Sequence, residues 1–374
     1  MSLTSGARFS VTYAIAGGAA EAAAAARELC IEQTVEYPED LIVDPAIRAD
    51  IFGRLEGLVE LAPGRHEARI SYAVETVGAE LTQLLNVVFG NSSLKPGLRV
   101  TGLDLGPLAA TFRGPRFGVA GLRARAGRAE GVLLCTALKP LGLDAAALAD
   151  LAYELGRGGV DLIKDDHGLA DQPLAPFAER VERCAAAVAR AAARTGRPCL
   201  YAPNVTAPLP ALLGRARLAR RLGAGALLVA PGLAGFDALR ALAADGDLGL
   251  PLLCHPALLG SFTVAPDAGM APFVTLGQLP RLAGADAAIF PSYGGRFSFT
   301  PADCRAIVAG ATGPMAGLAP MMPAPAGGMS LARIPEIARF YGPDTLLRVG
   351  GDLHHHGSVA RGCQRFRELV ESAR

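Results

Sequence analysis

Apolar and polar positions along this chain keep two rhythms, and the change falls near residue 125. Before it, FSVTYAI (9–15) alternates with period two and predicts a strand. AAEAAAAARELCIEQ (19–33) is built from strong helix formers. LVELAPG (58–64) and EARISYAV (67–74) predict a hairpin around Pro63-Gly64. GAELTQLLNVVFG (78–90) returns to helical spacing and LRVTGLDL (98–105) to strand spacing. The order βαββαβ is that of a ferredoxin-like sandwich.

After the loop GPRFGVAGLRARAGRAEG (114–131), short continuous apolar runs alternate with alanine-rich helical stretches. The runs are GVLLCTALKP, GGVDLIKDD, PCLYAPNV, GALLVAPG, LPLLCHP, DAAIFPSYGG, LAPMMPAPAGG and TLLRVGGD. Continuous apolar strands fit a parallel sheet covered on both faces. Eight of them with helical crossovers predict a (β/α)8 TIM barrel. The expected architecture is therefore α/β, with an N-terminal ferredoxin-like α+β domain over 1–125 and a C-terminal barrel over 126–374. Nearly every run ends in a polar, glycine or proline residue: Lys139-Pro140, Lys164 to His167, Asn204, His255-Pro256, Ser292, Gly327-Gly328 and Gly350-Gly351. Strand ends converge on the C-terminal rim of a barrel, where active sites are built.

Composition narrows the function classes. The chain has 374 residues, 51% hydrophobic and 19% charged, with formal net charge +1. That balance suits a packed, soluble globular protein rather than a disordered one and offers no basic field for nucleic acid or an anionic membrane. Seven cysteines without a CxxC pair point to thiols in a reducing cytoplasm rather than a disulfide framework. No secretory leader is legible, and no apolar run reaches the ~18–20 residues of a membrane span.

The densest chemistry is GGVDLIKDDH (158–167). Residues two apart on a strand share a face, so Lys164 and Asp166 point the same way and His167 begins the turn. Burial favours a neutral lysine amine, which CO2 can convert to a carbamate, an oxygen ligand. Carbamate, Asp166 and a third side chain would make a metal site. The same spacing reads equally well as a structural salt bridge at a strand end.

GGVDLIKDDH resembles the ribulose-bisphosphate carboxylase motif Gly-Gly-x-Asp-x-x-Lys-Asp-Asp-Glu, in which the carbamylated lysine binds Mg2+ with the second Asp and the Glu. CTALKPLGL (135–143) resembles that family's first-strand motif, whose lysine is the catalytic acid/base; this implies that role for Lys139. LLCHP matches its strand-five histidine at His255. AGGM and RVGGD resemble its two phosphate loops and imply substrate-binding backbone at Gly327, Gly328, Gly350 and Gly351, with Ser292 at the end of strand six. IEQTVE (31–36) looks like the segment that reaches a neighbouring subunit's site, which implies a homodimer. The implied cofactors are Mg2+ held by Lys164, Asp166 and His167, and CO2 as the lysine carbamate.

The departures matter as much. The second lysine of the first-strand motif is missing, and Pro256 stands where the carboxylase has a phosphate-gripping arginine. The loop after strand six reads PSYGGRF, without the lysine that stabilises the carboxylated intermediate. Val87 aligns with an N-domain asparagine, with Asn86 one place away. His167 replaces the Glu ligand, and imidazole suits Zn or Mn better than Mg2+. In LHHHG (353–357), three consecutive histidines cannot all face one ion, and one is expected to line the pocket. The pattern is similar to the non-carboxylating RuBisCO-like proteins. It implies an isomerase or enolase of the methylthioribulose-phosphate type acting on a phosphorylated keto-sugar. A decarboxylase of a 3-oxo sugar-acid phosphate, a non-catalytic barrel, and a Schiff-base aldolase using Lys139 or Lys164 remain open.

Overall fold

The computed structural model describes residues 2–373. The N-terminal sheet is built from β1 (Arg8–Ala16), β2 (Arg54–Ala62), β3 (Arg65–Ala73) and β4 (Leu98–Asp104), with α1 (Ala19–Glu32) and α2 (Leu81–Phe89) packed on one face. Its order is β4-β1-β3-β2 with every pairing antiparallel, the ferredoxin-like arrangement that the alternation predicts. On β1, Phe9, Val11, Tyr13 and Ile15 are buried and their neighbours partly exposed, so the period-two pattern places one face on the core. The sheet gains a fifth strand from far along the chain. In β10, Gly269–Met270 pairs parallel with Arg99–Val100 of β4.

Helix α3 (Gly118–Arg125) leads into the barrel, where the backbone N–H groups of Phe117 and Gly118 donate to the Asp286 carboxylate at 2.7 and 2.8 Å. Eight parallel strands follow at the positions of the eight apolar runs. They are β5 (Leu133–Leu138), β6 (Leu162–Asp165), β7 (Leu200–Ala202), β8 (Leu227–Val229), β9 (Leu252–Cys254), β11 (Ala287–Pro291), β12 (Met322–Ala326) and β13 (Leu346–Arg348). Their ladders run β13-β5-β6-β7 and β12-β11-β9-β8. Val205 N–H and Leu228 N–H bridge the two halves between β7 and β8. At the other seam β12 lies beside β13 without a ladder. Met322 N–H is used toward β11, so Pro323 and Pro325 present their backbone toward β13, and proline has no N–H to donate.

Leu133, Cys135, Leu162, Leu228, Leu253, Ile289, Met322 and Leu346 fill the barrel interior. The interior is a packed core, and chemistry is confined to the rim above it. Crossover helices such as α4 (Ala145–Arg157), α5 (Phe177–Thr195) and α6 (Leu209–Arg221) cover the outside. The segment after β9 docks the N-terminal sheet. The Gln278 carboxamide donates to Leu103 O at 2.8 Å and accepts from Leu103 N–H at 3.0 Å, while Arg99 donates to Thr263 O at 2.9 Å. All seven cysteines are free thiols. Among the described residues no helix is long and apolar enough to cross a membrane.

One polar cluster inside this apolar frame fixes the end of β6. Asp165 is fully buried and accepts from Arg180 Nε at 3.2 Å, Tyr201 OH at 2.7 Å and Asn204 N–H at 3.0 Å. Arg180, also fully buried on α5, spends its other nitrogens on Ala170 O and Ala175 O. Removing one partner of such a pair strands a buried charge, at about 3–5 kcal/mol. Arg180→Met is expected to lower stability by about that amount, read as a fall in the urea midpoint. Adding Asp165→Asn to the same chain is expected to recover part of the loss.

Candidate active site

The alternation that sends Asp165 outward turns Lys164 and Asp166 toward the barrel axis. Lys164 has no exposed surface and its Nζ donates to Asp165 O at 2.8 Å. Burial, then the Arg348 charge, lower its pKa to about 7, so the amine is available at neutral pH. Above it, Lys139 from the end of β5 reaches Asp166 Oδ2 with Nζ at 2.7 Å. The other Asp166 oxygen accepts from Gly168 N–H at 3.1 Å and lies 3.3 Å from His167 Nδ1. Burial alone would raise the Asp166 pKa, but Lys139, the Gly168 bond and Lys164 outweigh it and bring the carboxyl to about 2.

His167 stacks on His255, with ring centroids 4.4 Å apart and planes 10° apart. His255 Nδ1 accepts from Ala257 N–H at 3.2 Å, which places the ring proton on Nε2. Burial and the surrounding cations push the His255 pKa down to about 2, and burial lowers that of His167 as well. Both rings are therefore neutral at physiological pH.

These groups border a cavity of about 390 Å3 at the C-terminal rim. Lys139, His167, His255, Arg296 and Arg348 line it, and Gly327 contributes backbone. Leu258, Val264, Leu276, Phe290, Phe297 and Phe299 form an apolar wall. Lys164 and Asp166 lie beneath this lining and reach it through Lys139 and His167.

The other expected site residues lie apart from the cavity. Ser292 is fully buried outside the cavity lining, and its hydroxyl sits 3.0 Å from Tyr341 OH. Gly328 packs against Arg296, and Gly350 and Gly351 enter a short helical turn, Gly351–His355. None of these three lines the cavity. Nor do the consecutive histidines, contrary to expectation: the turn after β13 carries them along the surface, where His356 Nε2 faces Asp352 at 4.0 Å.

Two features escaped the sequence reading. Arg348 interrupts the apolar run TLLRVGG at an inward position, two residues after the core residue Leu346. The alternation of β13 already carried that signal. The second is compositional. The chain has three lysines among many arginines. Lys95 pairs with Glu28 on the surface, and the other two meet at Asp166. Unlike a guanidinium, the amines beside Asp166 can lose a proton.

Fold and site together define a (β/α)8-barrel protein with amine, carboxylate and imidazole groups gathered at its rim. Residues 118–295 match the family of the ribulose bisphosphate carboxylase large chain, catalytic domain. A ribulose bisphosphate carboxylase-like protein of Rhodopseudomonas palustris is 44% identical over 98% of both chains. A protein of Rhodospirillum rubrum named 5-methylthioribulose-1-phosphate isomerase is 42% identical over 92% of this chain and 91% of its own. The crystal structure of a RuBisCO-like protein from Rhodopseudomonas palustris superposes with a TM-score of 0.88, at 41% identity and 98% coverage of both chains. The chain belongs to the ribulose bisphosphate carboxylase large-chain family and groups with its RuBisCO-like proteins.

Lys139 is the cation that holds Asp166 ionised. In Lys139→Met the Asp166 carboxyl is expected to titrate closer to the ordinary Asp value of about 3.9, followed by carboxyl chemical shifts across an acid titration.

Proposed function

We propose that this protein enolises a phosphorylated keto-sugar carrying an apolar substituent, of the 5-methylthioribulose 1-phosphate type, and moves a proton between adjacent carbons without fixing CO2. One observation carries the reading: the cavity lining combines a cluster of proton-transfer groups with apolar side chains. The relative named as an isomerase of that substrate supports it. So does the loop after β11, which contains arginine and no lysine.

The donor set fits a divalent cation in its protonation states. Asp166 is ionised, His167 is neutral, and Lys164 offers an amine that CO2 can convert to a carbamate. Lys164, Asp166 and His167 would hold the ion; the imidazole broadens the choice from Mg2+ toward Mn2+ or Zn2+. Bound there, such an ion supplies Lewis-acid stabilisation of enolate charge.

The remaining roles belong to the chain. The base at Lys164, as amine or carbamate, takes the proton from one carbon, and Lys139 Nζ, an ammonium beside Asp166, gives one to the next. Its partner Asp166 fixes the amine in place at 2.7 Å. His255, with its proton on Nε2, donates to a substrate oxygen and stays neutral throughout. The apolar wall excludes water from the enolate. Gly327 backbone borders the same space. In the N-terminal domain, Glu32, Gln33, Asn86 and Asn91 line an open cleft on the surface, with Gln33 Nε2 holding Val87 O at 2.8 Å. This cleft is the face that completes a partner's site in a homodimer.

The test is solvent deuterium exchange with 5-methylthioribulose 1-phosphate, followed by NMR under bicarbonate and divalent metal. Exchange and isomer formation without CO2 release are expected. Lys164→Met is expected to slow exchange by about 10²-fold or more. CO2 release from a 3-oxo acid phosphate, or a borohydride-trapped adduct on a lysine, would overturn the assignment. The pH dependence has a definite sign. Lys164 is an amine above about 7 and an ammonium below it, so carbamate formation, and with it exchange, is expected to decline as pH falls through that value. ¹³C-bicarbonate NMR of the wild type and Lys164→Met reads the carbamate directly.

A further inference from the structure

We propose that Arg333, with Glu336 and Tyr293, locks the loop after β11 onto the helix Ile334–Tyr341, so that Arg296 and Phe297 stand at the cavity before any ligand enters. Arg333 is then a positioning residue. Its effect on turnover rests on the enolisation proposed above; its effect on the loop does not. The Arg333 guanidinium donates to the Glu336 carboxylate from Nε at 3.1 Å and from Nη2 at 2.9 Å. Its Nη1 donates to Gly294 O at 2.9 Å and to Tyr293 O at 3.3 Å. From the loop side, Tyr293 OH donates to Glu336 Oε1 at 2.8 Å. The guanidinium lies 5.2 Å over the Tyr293 ring, and that ring packs 4.6 Å from Phe340. One side chain therefore joins a carboxylate, two main-chain carbonyls and an aromatic face, which only a planar fork of donors can do.

Arginine one helical turn from a carboxylate is common on this surface. Arg157–Glu154, Arg240–Asp237 and Arg365–Glu368 are such pairs, and among the described residues these three arginines hydrogen-bond no other element. An exposed pair of that kind adds little. Arg333 differs in what it reaches, and glycine makes the room. Gly294 has φ +64, and a Cβ there would collide with the Arg333 guanidinium. A second set of contacts pins the loop to β12. Ser292 N–H donates to Ala326 O at 2.8 Å and Arg296 N–H to Gly327 O at 3.0 Å. A Cβ on Gly295 would collide with Gly327 O, and one on Gly327 would press on the Phe297 ring at 3.0 Å.

The two anchors hold the loop between them, and Arg296 and Phe297 are its residues that line the cavity. Their ordering entropy is lost on folding rather than at each binding event. The lock also stays closed around neutral pH. Hydrogen bonds from Arg333 and Tyr293 hold the Glu336 carboxyl below its ordinary value, and burial and the Glu336 carboxylate push the Tyr293 hydroxyl up to about 12. Release of the lock should therefore weaken binding more than it slows the chemical step.

The chain contains no tryptophan, so Phe297→Trp places a single reporter in the loop of the full-length protein. Its fluorescence anisotropy is compared alone and combined with Arg333→Met, Arg333→Lys, Glu336→Gln and, as a control, Arg365→Met. Hydrogen exchange at the Arg296 amide is followed in the same substitutions without the reporter. Arg333→Met is expected to lower the anisotropy and to speed that exchange about ten-fold. Arg333→Lys is expected to do the same, because one ammonium cannot serve a carboxylate and two carbonyls at once; Glu336→Gln is expected to do so in part. Arg365→Met is expected to change neither, and the urea midpoint to stay near wild type throughout. With 5-methylthioribulose 1-phosphate, Arg333→Met is expected to raise KM about ten-fold, with a much smaller change in kcat. If Arg333→Met does not fold, Arg333→Lys and Glu336→Gln carry the comparison. A reporter equally mobile with and without the Arg333 substitutions, or an unchanged KM beside a loosened loop, would overturn the proposal and leave the enolisation standing. A loop released by Arg333→Met in a protein that exchanges no substrate proton would keep the lock and sink the enolisation.

Discussion

A strand alternates its side chains between two faces, and at the end of β6 that rule separates two kinds of carboxylate. Asp165 goes outward into a closed set of donors, Arg180, Tyr201 and Asn204, where it has no freedom left. Lys164 and Asp166 go inward, Lys164 with no exposed surface and Asp166 against Lys139. The outward network costs desolvation and returns rigidity; a fully hydrogen-bonded buried pair holds its strand in one register. Register is what matters here, because a slip of one residue would exchange the two faces and place Asp165 in the cavity.

Rigid placement lets the inward groups interact through their charges. A lysine with no exposed surface gives up its proton more readily, and the neighbouring Arg348 pushes in the same direction. Lys139 draws Asp166 the other way, toward a permanently ionised carboxylate. The stacked pair His167 and His255 stays neutral between these cations. The result is a set of amine, carboxylate and imidazole groups in different protonation states at one pH, the condition for moving protons without large rearrangement. His167 in place of a third carboxylate, together with Arg348 and Arg296, makes the cavity richer in positive charge than the motif alone suggests.

The apolar wall has a different origin. Thr263 and Leu276 belong to a segment that also carries the two-residue strand of the N-terminal sheet and the Gln278 clamp on Leu103. Docking of the first domain therefore shapes one wall of a cavity whose chemistry comes from the second. This division fits a family in which rim loops vary while the barrel is kept.

Much of this was legible from residue order. Period-two alternation located β1 and β3, and continuous apolar runs located all eight barrel strands, because burial on one face or on two leaves distinct patterns. The spacing of Lys164 and Asp166 told which residues share a face. Local pattern could not tell which strand-end residues meet across the barrel. Ser292 and Gly351 lie at strand ends like Lys139 and His255, yet only the latter pair lines the cavity. Closure of the sheet brings Lys139 of β5 over Asp166 of β6 and Arg348 of β13 toward both, across long separations in sequence. Sequence alone determined which residues could face inward, since that follows from backbone periodicity; the tertiary structure decided which of them share one charge environment, since that depends on distance and burial in the closed barrel.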